Sequence, residues 1–571
     1  MKGRNPDIVV RIYQDYCCAY IKTLQSINNT NLMKTISFAK AFLPVVMLGV
    51  GGLCQSAFAQ NPYLPLWEYI PDGEPYVFED PDKPGEKRVY VYGSHDSLLE
   101  YYCGREQVVW SAPVDDLSNW RYDGLIYRLD RDRDGNLLNA NGEGDVLYAP
   151  DITEVVEKDG TKTYYFYPNV QGSREGVIAK SKRPDGPFES CSWSKEDPRL
   201  GYSVLRFDPA VFVDDDGRVY GYWGFERSYA AELDPATMCT VKPGTKVVED
   251  MVSGRYQEDV FRFFEASSLR KIKDKYVFIY SRWTKDGEFG MPESNYTLAY
   301  AYGDSPLGPW TYGGTIIDGR ARDTDENGKA IPTAHPQGNT HGSICEINGK
   351  WWVFYHRQTG LSQYSRQAMV APIEVTVEEG KGGKVMITEG EYTSEGFATE
   401  GLNPLNKTAA GIACYYTGPK PAWDEFPKFF FPGSYVQNTY FDPSSYQGPF
   451  NLKEPFCPVV NNTSGSTVGY KYFNFANIDK QAKVELVFNM IPKGIDGTLT
   501  IMLGSPYKSR GGRVVGTLNI SKDAPQELAH FATPVSSLND KDGKQALFFL
   551  FESATKEQSL CDIYDFQFVV K

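Results

Sequence analysis

Five aromatic, alternating runs recur along the first two-thirds of this chain: Arg88 to Ser94 (RVYVYGS), Lys162 to Pro168 (KTYYFYP), Arg218 to Gly224 (RVYGYWG), Lys275 to Arg282 (KYVFIYSR) and Lys350 to Arg357 (KWWVFYHR). Each follows a turn, and aromatic and β-branched residues at period two read as strands. The phrase Pro184-Asp-Gly-Pro-Phe188 returns as Pro306-Leu-Gly-Pro-Trp310, 306 − 184 = 122 residues later, with one unmarked unit between. Half of that interval is a repeat of about sixty residues, and five such units fill the stretch from about Leu64 to Val375. A period of tens of residues built from short strands points to a propeller rather than a sandwich, so the expected fold is all-β, with a five-bladed β-propeller first.

In a propeller the first strand of every blade lines the central channel, so matching positions in different blades converge although they are far apart in sequence. Asp72, Asp151, Asp208, Glu265 and His341 begin blades one to five, at spacings of 79, 57, 57 and 76 residues by subtraction. The longer intervals hold polar insertions at Asp130 to Asp145 and Arg320 to Gln337. These five residues are therefore expected to share one pocket. Taken singly, an acidic residue before a strand is a turn former, and Asp214, Asp215 and Asp216 before Gly217 read that way. Recurrence at the inner edge of successive blades is what sets the others apart. Gathered carboxylates suit hydrolysis of a glycosidic bond: one activates water, a protonated one donates to the leaving oxygen, and a third charge raises the pKa of the donor.

At these residues the chain resembles glycoside hydrolase family 43, whose members are five-bladed propellers acting with inversion on arabinofuranosides and xylosides. The entry Asn61-Pro-Tyr-Leu-Pro with Pro71-Asp72 is similar to the family's opening motif, which implies that Asp72 is the general base, with the neighbouring Glu74 as rival. Ala149-Pro-Asp151 is similar to a Trp-Ala-Pro-Asp phrase, with Tyr148 in place of Trp, and implies a substrate contact at Asp151. Phe207-Asp208-Pro-Ala-Val-Phe resembles the segment whose Asp tunes and orients the acid, and Glu265 in Phe-Glu-Ala-Ser falls at the proton donor. The resemblance further implies a structural calcium held in part by His341 and an approach of Arg366 to the substrate or the acid. No cofactor is required for the chemistry. The reading of another class is a catalytically silent carbohydrate-binding propeller. Families 32 and 68, the enzymatic rival, carry an Asn-Asp-Pro-Asn segment that is not found here.

Composition narrows the partners. A net charge of −14 without a basic stripe disfavours nucleic acid and anionic membranes. With five histidines, no phosphate-binding loop, no dinucleotide fingerprint and no His-Glu-x-x-His, neither a nucleotide nor a catalytic zinc is expected. Oligo- or polysaccharide remains. Two loops, Asp130 to Gly135 and Asp323 to Gly328, imitate the first half of an EF-hand, but their twelfth positions are Asn141 and Ala334, so both read as solvated insertions.

Near the N-terminus, Lys34 and Lys40, an apolar core from Ala41 to Leu53 and Ala57-Phe-Ala59 fit a cleaved secretory signal over 33–59, too short for a bilayer span. Residues 1–32 then read as a mis-assigned extension, and the destination as secreted or periplasmic. Downstream of Ala59, seven scattered cysteines indicate neither a metal knot nor a dense disulfide scaffold. The propeller is expected over 61–376, a connecting segment over 377–401 and a jelly-roll β-sandwich over 402–571, with strands at Lys483 to Asn489, Thr498 to Leu503, Arg513 to Ile520, Ala546 to Phe551 and Ile563 to Val569. Val468 to Phe473 and Ile563 to Phe568 are similar to carbohydrate-binding module family 6, which implies glycan binding by the sandwich; a sandwich that only buttresses the propeller is the alternative.

Overall fold

The computed structural model describes residues 59–571 except 99–100, 139–141, 171–175, 335–337, 360–362, 420–432, 438–456 and 540–542. The expected extension and signal segment, up to residue 58, lie outside the described residues. Five antiparallel sheets follow one another in chain order. Their inner strands are Glu74–Glu79, Asp151–Val156, Ala210–Val213, Phe263–Ile272 and Ser343–Ile347. Four of the sheets have four strands and the fifth has three.

Each aromatic run of the sequence is the second strand of a blade: Lys87–Tyr92, Lys162–Tyr167, Val219–Trp223, Lys275–Arg282 and Lys350–Gln358. These strands are sandwiched between neighbouring blades, and in Val219–Trp223 and Lys275–Arg282 every residue is buried. Two buried faces explain why they read as near-continuous apolar runs. Between blades three and four, Tyr220 and Tyr222 pack with Tyr276, Phe278 and Tyr280 in one cluster. Gly73 of blade one bridges Gly342 of blade five, so the first and last blades are neighbours. Outside blade five the entry segment runs along its outer strand, Arg366–Ile373: the Asn61 side chain donates to Val370 O at 2.6 Å and accepts from Val370 N at 2.9 Å.

A hairpin, Val375–Val377 with Val385–Ile387, follows, its turn formed by the polar Glu378 to Lys384. Val385 and Ile387 are buried with Ile316, Val353 and Met369, so the boundary expected at 376 falls inside a hairpin that packs on the propeller. The two EF-like loops are turns closed by their own aspartates. Asp132 Oδ1 accepts from the amides of Asp134 and Asn136, and Asp325 Oδ1 from those of Asn327 and Lys329, all at 2.9 Å.

The sandwich has two antiparallel sheets, one ordered 415–417, 467–474, 544–553, 497–503, 513–520 and the other built around Cys561–Val570 and Val484–Pro492. Leu486, Phe488, Phe549 and Phe566 meet between them. All five expected strands are present. Ala529–Val535 was not among them, because only two of its seven residues are buried and its apolar signal is weak. The sandwich is tied to blade five. Leu66 of the entry segment lies in its core, and the buried Arg357 guanidinium donates to the carbonyls of Gly411 and Ala413. Among the described residues Cys103, Cys191, Cys239, Cys345, Cys414 and Cys561 are free thiols.

Candidate active site

The inner strands begin at one mouth of the channel, and Asp72, Asp208, Glu265 and His341 are all buried there. Asp72 and Asp208 adopt left-handed backbone, φ 61° and 43°, as does Ala266, φ 68°. Aspartate tolerates that region; alanine pays on the order of 1–3 kcal/mol. What that conformation achieves at Ala266 is visible: its amide donates to Asp208 Oδ2 at 3.1 Å. The pairing of Phe263–Ile272 with its neighbour shifts register on both sides of Glu265, a bulge that re-aims the carboxyl.

Asp72 is held on every side. Arg366 Nη1 donates to its Oδ1 at 3.0 Å, the Ser94 hydroxyl to its Oδ2 at 2.6 Å, and its own amide donates to His356 Nδ1 at 3.2 Å. Arg366 is itself fixed by Asp96, which accepts from Nε at 2.9 Å and from Nη2 at 2.8 Å. The arginine expected near the substrate or the acid clamps Asp72, its fork shared between two buried carboxylates, and its charge also reaches Glu265. Burial alone would raise the Asp72 carboxyl, but the opposing contributions, Arg366 foremost, outweigh it and the pKa falls below its usual 3.8.

Glu265 has the opposite environment. Burial, and after it the charge of Asp72, pushes its pKa up to about 8, against the Arg366 charge and a hydrogen bond from the Asn339 side chain. Asp208 is raised as well, by burial and then by Glu265 and Asp72. Asn169 Nδ2 donates to Asp208 Oδ1 at 2.9 Å, beside the Ala266 amide on Oδ2. Two donors favour the charged form at Asp208, so the proton this coupled pair shares belongs on Glu265. His356, whose Nδ1 accepts, carries its hydrogen on Nε2 and donates to Asn339 O at 2.8 Å. Burial holds His356 neutral, its pKa at about 3.

Asp151 does not join this cluster. Its Oδ1 accepts from Tyr76 Oη and its Oδ2 from the Val211 amide, both at 2.7 Å, which ties it to residues further along the inner strands. Glu74 is its neighbour there, bound to Arg270 Nη2 at 2.9 Å and to the Ser268 hydroxyl at 3.1 Å. That layer also separates Glu74 from the role of Asp72. Burial raises both, Glu74 to about 8 and Asp151 to about 6. His341 stands between the layers, Nδ1 3.6 Å from Asp208 Oδ2 and Nε2 3.8 Å from Glu74 Oε1. Neither His341 Nε2 nor Glu74 Oε1 has a hydrogen-bond partner. One imidazole nitrogen and one carboxylate oxygen do not make a calcium site on their own, since that ion takes six to eight ligands, chiefly oxygen. Among the described residues no group of three or more His, Cys, Asp or Glu side chains is arranged to hold a metal ion.

Ser94, Asp96, Asn169, Asn339 and His356 do not stand out in the sequence as site residues. Three had a signal: Ser94-His-Asp96 closes the first aromatic run on polar residues, and Tyr355-His-Arg-Gln358 is a polar ending to a buried strand.

The profile of glycosyl hydrolases family 43 matches residues 85–379, from the second strand of blade one through the hairpin turn after blade five, so Asp72 lies just before the matched span. A xylosidase/arabinosidase of Thermoclostridium stercorarium is 33% identical over 522 residues, 88% of this chain and 98% of its own length. A β-xylosidase of Xylanibacter ruminicola is 30% identical over 39% of this chain and 71% of its own. Among solved structures, a family 43 arabinoxylan arabinofuranohydrolase of Bacillus subtilis, in complex with cellotetraose, aligns over 90% of this chain and 99% of its own at 20% identity and a TM-score of 0.42. A profile match over more than half of the chain, and a relative matched nearly end to end, place this protein in glycoside hydrolase family 43.

Proposed function

We propose that this glycosidase cleaves α-L-arabinofuranosyl or β-xylosyl bonds of plant polysaccharide with inversion. Asp72 takes a proton from water as the water oxygen attacks the anomeric carbon. The bond from that carbon to the leaving oxygen breaks, and Glu265 donates its proton to the departing oxygen. Exchange with solvent then restores both carboxyls. Asp208 orients the segment that carries Glu265 through the Ala266 amide and keeps the shared proton on the acid. Arg366 keeps Asp72 ionised and fixed.

The observation that carries this reading is the divergence of two neighbouring buried carboxyls, Asp72 lowered and Glu265 raised to about 8, which is how a base and an acid are told apart. The relatives' names favour the two sugars. A panel of nitrophenyl glycosides tests the substrate, and proton NMR of the first product tests the stereochemistry. A retained anomer at the earliest time point would remove Asp72 from the role of base. Glycan binding without hydrolysis by the wild type would favour a silent binding propeller. Export rests on the signal-like segment 33–59, and N-terminal sequencing of protein recovered outside the cytoplasm should begin at Gln60.

A further inference from the structure

Beside Glu265, at the corner between blades three and four, a strip of aromatic side chains leads from the acid to the surface. Phe264, the residue before the acid, packs against Phe225 at 5.1 Å and Trp283 at 5.0 Å between ring centroids. The Arg255 guanidinium lies 3.6 Å from the centroid of Trp283 and 4.6 Å from that of Tyr256. Glu226 fastens the outer end: its Oε1 is 3.1 Å from Arg255 Nη1 and accepts from the Tyr256 hydroxyl at 3.2 Å. The Glu226 charge reaches Glu265, where it helps to raise the acid. Phe225 is 43% exposed and Tyr256 70%, so two rings of the strip stand open to solvent.

The cores of both blades are complete without these exposed rings, and large apolar faces left in solvent beside a catalytic acid call for a function. Flat rings bordered by a guanidinium, a phenol and a carboxylate present an apolar face and a polar edge, as one face and the hydroxyl rim of a sugar ring do. Glu265 donates to the oxygen of the leaving group, so what continues past it is the leaving group itself. We infer that Phe225, Trp283, Arg255 and Tyr256 form the subsite for the sugar ring of the leaving group, a pyranose stacked on the rings and hydrogen-bonded by Arg255. This rests on the assignment of Glu265 as the acid. It also makes the strip a determinant of preference for oligosaccharides over simple glycosides.

The test compares kcat/KM on substrates that share a glycosyl group but differ in what leaves. The pairs are xylotriose against methyl β-xyloside, or an arabinose-substituted xylo-oligosaccharide against methyl α-L-arabinofuranoside. Tyr256→Ala and Arg255→Ala should each lower the oligosaccharide value on the order of tenfold more than the methyl glycoside value, and Tyr256→Phe should recover most of the loss. Trp283→Ala should act in the same direction and Trp283→Phe less. Equal losses on both substrates would mean that the strip only supports Glu265, and no loss on either would mean that no sugar lies there; either result overturns the inference. Those failures are distinct from failure of the proposed function, which would appear as a wild type that hydrolyses neither substrate.

Discussion

Replacing Glu265 by Gln should make the protein inactive and, above neutrality, more stable. In the folded protein the acid keeps its proton up to about pH 8, whereas an unperturbed glutamate releases it near 4.5. A group whose folded pKa is raised contributes stability in full below the unfolded value and loses it as pH climbs to the folded one. At 1.36 kcal/mol per pH unit, the span from 4.5 to about 8 corresponds to about 5 kcal/mol. This is an upper bound, because Asp208 shares the charge. Glutamine has nearly the same shape and nothing to titrate. Unfolding of wild type and Glu265→Gln should therefore be measured by denaturant or heat at half-unit steps from pH 4.5 to 9. The variant's advantage should grow steadily over that range and level off near pH 8, reaching on the order of 10 °C in midpoint. Glu74 and Asp151 also titrate, but they do so in both proteins, and the difference removes them. Parallel curves would show that Glu265 is not held protonated, and its assignment as the acid would fail with that.

Other outcomes follow from the same contacts. Asp72→Asn should lose at least about a hundredfold in kcat, the usual contribution of a general base. Asp208→Asn should move the alkaline limb of kcat/KM to lower pH, yet leave it above the ordinary carboxylate range, since burial and Asp72 still act on Glu265; an unmoved limb would reduce Asp208 to a positioning residue. Arg366→Lys cannot bridge Asp72 and Asp96 together, so the Asp72 pKa should rise and the acid limb move to higher pH with a large fall in rate. His356→Ala strands the Asp72 amide and should cost about 1–3 kcal/mol of stability together with activity. In the wild type, no limb near pH 6.5 should appear, since burial keeps His341 and His356 neutral above about pH 4.

The blades were legible because their second strands are buried on both faces, which forces an apolar run such as Lys275–Arg282 whatever the surrounding loops do. Asp72, Asp208 and Glu265 were legible because the repeat fixes where inner strands start. Periodicity could not say how far along the axis each side chain points. Asp151, the first residue of its inner strand, is bound to Tyr76 and Val211, one layer away from the others. Nor could it reveal the bulge that turns Glu265, or Asn339 and His356, whose importance lies in hydrogen bonds across blades to Glu265 and to the Asp72 amide. Arg366 was found without its partner Asp96, since nothing in its sequence surroundings announces a residue 270 positions away.

A count of charges along the axis explains why this site must hold protons. Arg366 is divided between Asp72 and Asp96, and Arg270 is taken by Glu74. Asp151, Asp208 and Glu265 have neutral donors, and burying three unpaired carboxylates would cost several kcal/mol each. Keeping a proton is the less expensive course, and the hydrogen bonds decide where it stays. Asp208 receives two donors, from Asn169 and Ala266, that reward its charge, while Glu265 sits beside ionised Asp72, which penalises charge there. The acid is therefore protonated because the site is short of cations, and the base is ionised because it holds half of one. Adding a cation next to Glu265 would undo the distinction: Asn339→Lys, placing an ammonium beside the acid, should lower its pKa and draw the alkaline limb downward even with Asp72, Asp208 and Arg366 unchanged. An alkaline limb that stays near pH 8 in that variant would mean that something other than Glu265 sets it.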